Sequence, residues 1–414
     1  MRARIPVRWI ALTIFVFSAI LNYLDRQVLA TMAEVWTARH DFAFTPTDYA
    51  HLVQYFSIAY AAAALLVGYF IDRVGLNRGA TISVAVWSIA SIGTGMSHSV
   101  HELLFWRILL GAAEASGVTA VGKAVSLYLY PKEQAVGQAM GQLGLSLGAG
   151  LAPGFAVYFA YQHDWRWTFY AVAILGVIWI PVWLITSHFV PPTIGRTPVV
   201  TTHSFGLLKD RKIWGLIAGN FLAMTVYSLW TNWPPRYLVL TFHLSPADTA
   251  RYTWIVPICG YFGALLGGSF AWRLIQRGST PVAAHKRACM IAAFMLLGTM
   301  AIPFLPSAAL ATAGMCLSFF FVASWSTNHY TLPIDVYGPA RSAFGVSSLI
   351  LAYGLMQFVI STPLAWVTDH YGFAPVCFVF SLLPLASYAI VHWLIPDDTH
   401  PEPVGDGQAL HAAA

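Results

Sequence analysis

The strongest constraint on this chain is the recurrence of apolar stretches long enough to cross a bilayer. A hydrocarbon core about 30 Å thick calls for about 20 mostly apolar residues per helix. Stretches of that kind fall at roughly 8–32, 49–71, 79–98, 101–129, 135–160 and 165–188, then at 213–240, 250–272, 284–305, 308–333, 341–366 and 372–395. Water is absent from the bilayer core, so each stretch must satisfy its own backbone as a helix. The chain reads as an all-α integral membrane protein with twelve transmembrane helices in two six-helix halves. The predicted organisation is one half at 1–188, a cytoplasmic linker at 189–212, a second half at 213–396 and a polar cytoplasmic tail at 397–414, expected to be disordered. Composition agrees: 58% of residues are hydrophobic and only 9% charged, against about 25% charged in a soluble domain. The basic N-terminus runs into an apolar stretch without a small-residue cleavage site and is read as a retained first span.

Lysine and arginine orient the bundle. With the N-terminus inside, cytoplasmic segments carry 15 of these residues, among them Arg8, Arg73, Arg78, Arg196, Lys286 and Arg341, whereas the outer loops carry only Arg39, Arg166, Arg236 and Arg251. The positive-inside rule puts both termini and the linker in the cytoplasm, the expected location being the cell (inner) membrane. The net charge of +5 is dispersed, which argues against nucleic acid as a partner and leaves the lipid bilayer. Cys259, Cys289, Cys316 and Cys377 lie scattered in apolar segments without metal-ligand spacing, so they read as buried thiols and not as disulfides or a zinc site. Gly137, Gly141, Gly144 and Gly148 on the fifth span, and Gly263, Gly267 and Gly268 on the eighth, recur at spacings that allow close helix approach.

Few charges lie inside the spans. Asp25 and Arg26 are adjacent in the first; Arg107 and Glu114 lie two helical turns apart in the fourth. An ionised side chain at bilayer depth costs roughly 2.5–3.5 kcal/mol on insertion scales, so such groups face a cavity and act there. Two acids beside two arginines suggest a proton site next to an anion site. Burial favours a protonated carboxyl and a neighbouring guanidinium favours the ionised form, so a carboxyl between the two effects can switch. The bland alternative is a permanent ion-pair cluster fixing two helices.

Between the second and third spans stands Gly68-Tyr-Phe-Ile-Asp72-Arg73-Val-Gly75-Leu-Asn77-Arg78, which resembles the signature of the major facilitator superfamily. Within it the chain is similar to the anion:cation symporter branch, especially transporters of hexuronates, aldonates and related sugar acids. The matching pieces are Asn22-Tyr-Leu-Asp-Arg-Gln-Val-Leu29, Ser57-Ile-Ala-Tyr60, Arg107 with Gly111 and Glu114, Trp165-Arg-Trp167, Arg251-Tyr-Thr-Trp254, Leu266-Gly-Gly268 and Tyr330-Thr-Leu-Pro-Ile-Asp335. The resemblance implies that Asp25 and Glu114 carry protons, that Arg107 holds or releases Asp25, and that Tyr23 and Tyr60 lie near the sugar acid. It implies a cytoplasmic gate at Asp72, Arg73 and Arg78. The second half departs from this pattern, with Trp272 where the repeated latch needs an aspartate before Arg273.

Arg26 is the candidate anion ligand, because its planar fork matches a carboxylate in two-pronged fashion. Gln142 is a further binding candidate, and Lys123 either attracts the anion or snorkels to the headgroups. In the second half, Asn232 and Trp233 precede the helix-breaking Pro234-Pro235, and Asn328, His329 and Tyr330 form a dense polar run. Amides, hydroxyls and rings suit a polyhydroxylated ligand, although interfacial belts and buried packing also use these residues. Nothing in the sequence forms a nucleophile–base motif, a phosphate loop or a metal cluster, so an enzyme is disfavoured and no cofactor is expected beyond protons as the coupling ion. The expectation is a proton-coupled symporter that imports a small organic anion and functions as a monomer; the alternatives are an uncoupled or exchange carrier, an exporter, or a transporter-like sensor. Asp72→Asn should disturb the conformational balance more than substrate recognition. Accessibility labelling from the two membrane sides should shift toward the inward-open pattern while substrate affinity stays within about twofold, since surface substitutions outside a binding site stay within about 0.5 kcal/mol.

Overall fold

The computed structural model describes residues 7–129, 131–190 and 204–399. Arg2, Arg4, Arg196 and most of the linker lie outside it, as do residues 400–414 of the tail and the side chains of Asp72, Lys132 and Arg341. The first half comprises α1 (Val7–Arg39), α2 (Pro46–Val74), α3 (Leu76–Met96), α4 (Val100–Glu114), α5 (Ser116–Tyr128), α6 (Pro131–Gln162) and α7 (Arg166–Phe189). The second comprises α8 (Arg211–Asn232), α9 (Pro234–Phe242), α10 (Pro246–Thr253), α11 (Ile255–Gln276), α12 (Pro281–Met295), α13 (Ala308–Tyr337), α14 (Pro339–Tyr371) and α15 (Ala374–Leu394). Among the described residues, 11 helical segments are long and apolar enough to cross a membrane. With α2, itself 29 residues long, they make the expected twelve spans.

Several spans differ from the predicted ones in informative ways. The first helix runs past residue 32 to Arg39, because Val35 and Trp36 are fully buried and extend its apolar face; this brings Glu34 inside the helix. The fourth span breaks at Ala115 into α4 and α5 without a proline. There the Asn22 side-chain amide of α1 donates to the Glu114 carbonyl at 3.3 Å, a substitute partner at the break. Pro234 and Pro235 separate α8 from α9, as their missing N–H groups require. The ninth span starts at Pro281 and tightens into a 3-10 stretch over Leu296–Phe304. The start of the tail is ordered: Lys286, only 2% exposed, pairs with the Asp397 carboxylate and donates to the Ile395 carbonyl at 2.6 Å. Its charge is therefore neutralised inside the protein.

Within the first half α1 packs along α5 and α6, α2 on α4 and α3 on α7; in the second, α11 lies on α13 and α8 on α14 and α15. The halves meet through α2 with α14 and through α6 with α11. The end holding Val7 and Arg211 is here the terminal end, and the opposite end, with the turns at Phe44, Trp165 and Trp233, the far end. A large aromatic-rich core at the far end draws from both halves, with Trp36, Tyr49 and Trp165 from the first beside Trp230, Trp233 and Tyr237 from the second.

Glycine sets the closest approaches. A Cβ at Gly148 of α6 would sit 2.3 Å from the Ile20 carbonyl oxygen of α1, and one at Gly263 of α11 only 2.0 Å from that of Phe320 on α13. Gly148→Val should therefore lower stability by about 1–3 kcal/mol through overpacking. A thermal melt of the purified protein checks this, with Gly154→Ala, where a Cβ meets nothing within 4 Å, melting like the unaltered chain.

Candidate anion and proton site

The four span charges come together. Asp25 and Arg26 stand at mid-depth on α1, while Arg107 and Glu114 project from one face of α4, as a seven-residue spacing requires. Glu114 is fully buried, Asp25 1% exposed and Arg107 4%. Arg26 Nε donates to Glu114 Oε2 at 3.2 Å. Arg107 Nη2 donates to the Arg26 backbone carbonyl at 2.8 Å, whereas the carboxylate of Asp25 accepts from the Ser91 hydroxyl of α3. So the hydrogen-bonding partner of Asp25 is Ser91 and not Arg107. Three rings enclose the Arg26 guanidinium, with centroids 4.8 Å away for Tyr23, 4.9 Å for Phe56 and 4.4 Å for Tyr60. Phe56 also lies 4.5 Å from the Arg107 guanidinium carbon, so one ring attracts both guanidiniums through its quadrupole.

The cluster is balanced in charge but not in hydrogen bonds. Arg26 Nη2, Arg107 Nε, Asp25 Oδ1 and Glu114 Oε1 are buried without partners. Donors and acceptors left open at such a cost are poised to take up something else.

Beside the cluster lies a cavity of about 350 Å³, within the range of small-molecule sites. From the first half it is lined by Tyr23, Gln27, Gln138 and Gln142; from the second by Tyr227, Thr231, Tyr261, Ser326 and Thr327. Its described polar lining is neutral, and the Arg26 guanidinium lies over the ring of the lining residue Tyr23. Amides and hydroxyls on the first-half wall and hydroxyls on the other can hydrogen-bond a hydroxylated body, while Tyr227, Tyr261 and Phe319 add apolar surface.

Other sequence candidates fall elsewhere. Lys123 is half-buried on α5, off the cavity lining. The Asn232 carbonyl accepts from the Tyr49 hydroxyl across the halves, and Trp233 packs edge-on against Tyr49 at 5.2 Å; both belong to the far-end seam. His329 is fully buried, bonded through Nε2 to the Leu216 carbonyl at 2.9 Å and stacked on Trp325 at 4.3 Å. Asn328 donates to the Ser324 carbonyl at 2.8 Å and meets His285 Nδ1 at 2.8 Å. Tyr330 is the exception: it packs against apolar residues of the second half yet stands within electrostatic range of Tyr23 and Tyr60, the tyrosines around Arg26. The side chain of Asp72 lies outside the described residues; Arg73 and Arg78 are exposed at its turn, where Gly75 takes φ +86°, a conformation that favours glycine.

Sequence reasoning missed Ser91, Phe56, Gln27 and Gln138. Phe56 precedes Tyr60 by one turn, which places them on one helix face; the signal was there. Ser91 sits among small residues that pack helices just as well, and nothing local marks it.

The sequence matches the Major Facilitator Superfamily over residues 15–350. The chain belongs to the Major Facilitator Superfamily. Members of this superfamily are transporters and not enzymes, and the sugar-acid carriers among them need no cofactor. It is 23% identical to the hexuronate transporter of Escherichia coli (strain K12), with 94% of each chain covered. It is 21% identical to the D-galactonate transporter of Escherichia coli O6:H1, covering 91% of this chain and 93% of that one. Its fold is similar to that of a bacterial homolog of the human lysosomal transporter Spinster in an inward-facing, unoccupied conformation, at a TM-score of 0.73 and 18% identity, over 95% and 96% of the chains. The protein is thus a multi-pass membrane transporter whose relatives carry sugar acids.

Arg26→Lys keeps the charge but removes the planar fork. It should weaken organic-anion binding about tenfold or more, the loss of one charge-assisted hydrogen bond at about 1.5–3 kcal/mol. Ligand-induced thermal stabilisation across a carboxylate concentration series measures it.

Proposed function

We propose that this transporter is a proton-coupled symporter that imports a sugar acid, a hexuronate or aldonate, or a similar organic anion, by alternating access. It works as a monomer in the inner membrane with both termini cytoplasmic. The halves, residues 1–188 and 213–396, rock about the midplane cavity, joined by the linker at 189–212. The positive-inside count supports that orientation.

One observation carries the coupling: Arg26 is bonded to Glu114 at 3.2 Å while its Nη2 has no partner. An incoming carboxylate and the carboxylate of Glu114 compete for one guanidinium. With both bound and ionised, two acids, two arginines and a substrate anion leave one uncompensated negative charge in a buried site, which is strongly disfavoured. A proton on Glu114 removes it. Anion binding and proton binding at Glu114 therefore promote each other, as linkage requires. Asp25, bonded to Ser91, is the second proton carrier. Two protons per monoanion bring net positive charge inward, so a negative-inside potential drives uptake. Arg107 holds the Arg26 backbone in place at 2.8 Å. The Arg26 guanidinium, packed against the cavity-lining Tyr23 ring, and the neutral described lining suit one carboxylate on a hydroxylated body.

Glu114→Gln keeps size and hydrogen bonding but cannot cycle a proton. In proteoliposomes it should bind sugar acid and exchange labelled for unlabelled substrate while failing to concentrate it under an inward proton gradient. Full gradient-driven accumulation by this variant would remove Glu114 from the proton pathway. Loss of folding, binding and exchange together would identify a permanent structural ion pair.

A further inference from the structure

The far-end seam holds a second charged cluster, separate from the cavity. Arg236 of α9 is 7% exposed in its side chain, and its Nη2 is paired with the Asp369 carboxylate of α14. Both belong to the second half, so this pair is neutral by itself. Across the seam Glu34 of α1, 5% exposed in its side chain, lies 3.6 Å from Arg236 Nη1. Three formal charges thus meet where two suffice: one guanidinium faces two carboxylates. Other ionisable groups on the elements around Glu34 bond elsewhere, Arg107 through Nη2 alone with its Nε left open. Tyr49 of α2 donates to the Asn232 carbonyl, Arg107 of α4 to the Arg26 carbonyl, and Arg39, later on α1, to the Ala160 carbonyl at 2.7 Å. Among the described residues, none of these forms an ion pair with Glu34 or Asp369.

We propose that Glu34, Arg236 and Asp369 form a proton-binding site created by closure of the far end, with Glu34 as the group that carries the proton. When the halves separate there, the Arg236–Asp369 pair stays together and Glu34 stands alone in a hydrated mouth, ionised. Closure brings this lone carboxylate against an already neutral pair and strips its water. The closed cluster would carry one excess negative charge in a desolvated seam, and a proton on Glu34 cancels it. The closed state therefore binds one proton more than the open state, and lower pH favours closure, by up to about tenfold in the closed-to-open ratio per pH unit for a single proton. This site differs from Asp25 and Glu114 in place and effect: it sets the conformational equilibrium and does not touch the substrate.

The test uses the full chain in proteoliposomes, with its four native cysteines replaced by alanine and spin labels at Thr47→Cys on α2 and Leu240→Cys on α9. Distances between labels report far-end closure without substrate at pH 8.5 and pH 5.5. Acidification should raise the closed-to-open ratio at least about tenfold, within the one-proton limit. Glu34→Gln should be closed at both pH values, because the amide mimics the protonated acid. Asp369→Asn should also be closed at both, because ionised Glu34 then becomes the sole counter-ion of Arg236. A simple ion-pair latch predicts the reverse for Glu34→Gln, a far end more open than in the unaltered chain at every pH, and that result would overturn the proposal. So would the full acid-induced shift persisting in either variant, which would place the responsible proton elsewhere. Should Glu34→Gln fail to fold, Asp369→Asn alone decides the matter.

Discussion

Placing ions in a medium that cannot solvate them is the constraint on which this molecule depends. Lipid offers no partner to a carboxylate or a guanidinium, so each such group must find its opposite inside the bundle. The pairing of Arg26 with Glu114 joins α1 to α4, and the bond from Arg107 to the Arg26 carbonyl joins the same two helices again. Close packing makes these contacts possible: α1 reaches α6 at Gly148 and α5 at Gly117, where any side chain would strike a neighbour. The break at Ala115 lies next to Glu114 for a related reason. Asn22 bonds the Glu114 carbonyl there, so the helix can loosen beside its buried acid without leaving that backbone acceptor unpartnered.

The two halves treat polarity differently. The first concentrates charge at mid-depth, and the second faces the cavity with hydroxyls, rings and backbone. On the proposed function, an anion between them would be oriented with its ionic end toward α1 and its neutral body toward α8, α11 and α13. Besides the approach of Glu34 to Arg236, the halves are joined by Tyr49 to Asn232, Gln54 to the Phe358 carbonyl and Ser57 to Gln357. Each of these hydrogen bonds joins neutral groups, which separate at lower cost than ion pairs do.

Much of this was legible in the sequence, for physical reasons. Apolar runs of span length can only be helices in lipid, so the twelve spans and the proline break at Pro234 followed directly. Asp25, Arg26, Arg107 and Glu114 were conspicuous because charge is rare there. What escaped depends on contacts between distant helices. Glu34 falls just past the first predicted span, at 8–32, and Arg236 counted as an outer-loop charge, because their proximity arises from the fold alone. Asn232, Trp233 and His329 have the chemistry of ligand-binding residues, yet they serve packing and the seam; periodicity cannot reveal which neighbour a polar side chain meets.

Lys286 carries a consequence for how the chain is made. Its ammonium is buried against the Ile395 carbonyl and the Asp397 carboxylate, the latter 111 residues later in the chain. At about 5–20 residues per second, those partners reach the ribosome exit roughly 5–20 s after Lys286 itself. Until then α12 enters the membrane with an exposed positive charge at its end, available to be read as an orientation signal. The same residue can therefore act twice in sequence, first as a topological marker during insertion and then, once the last helix arrives, as an internal clasp that fastens the end of the chain to the finished bundle.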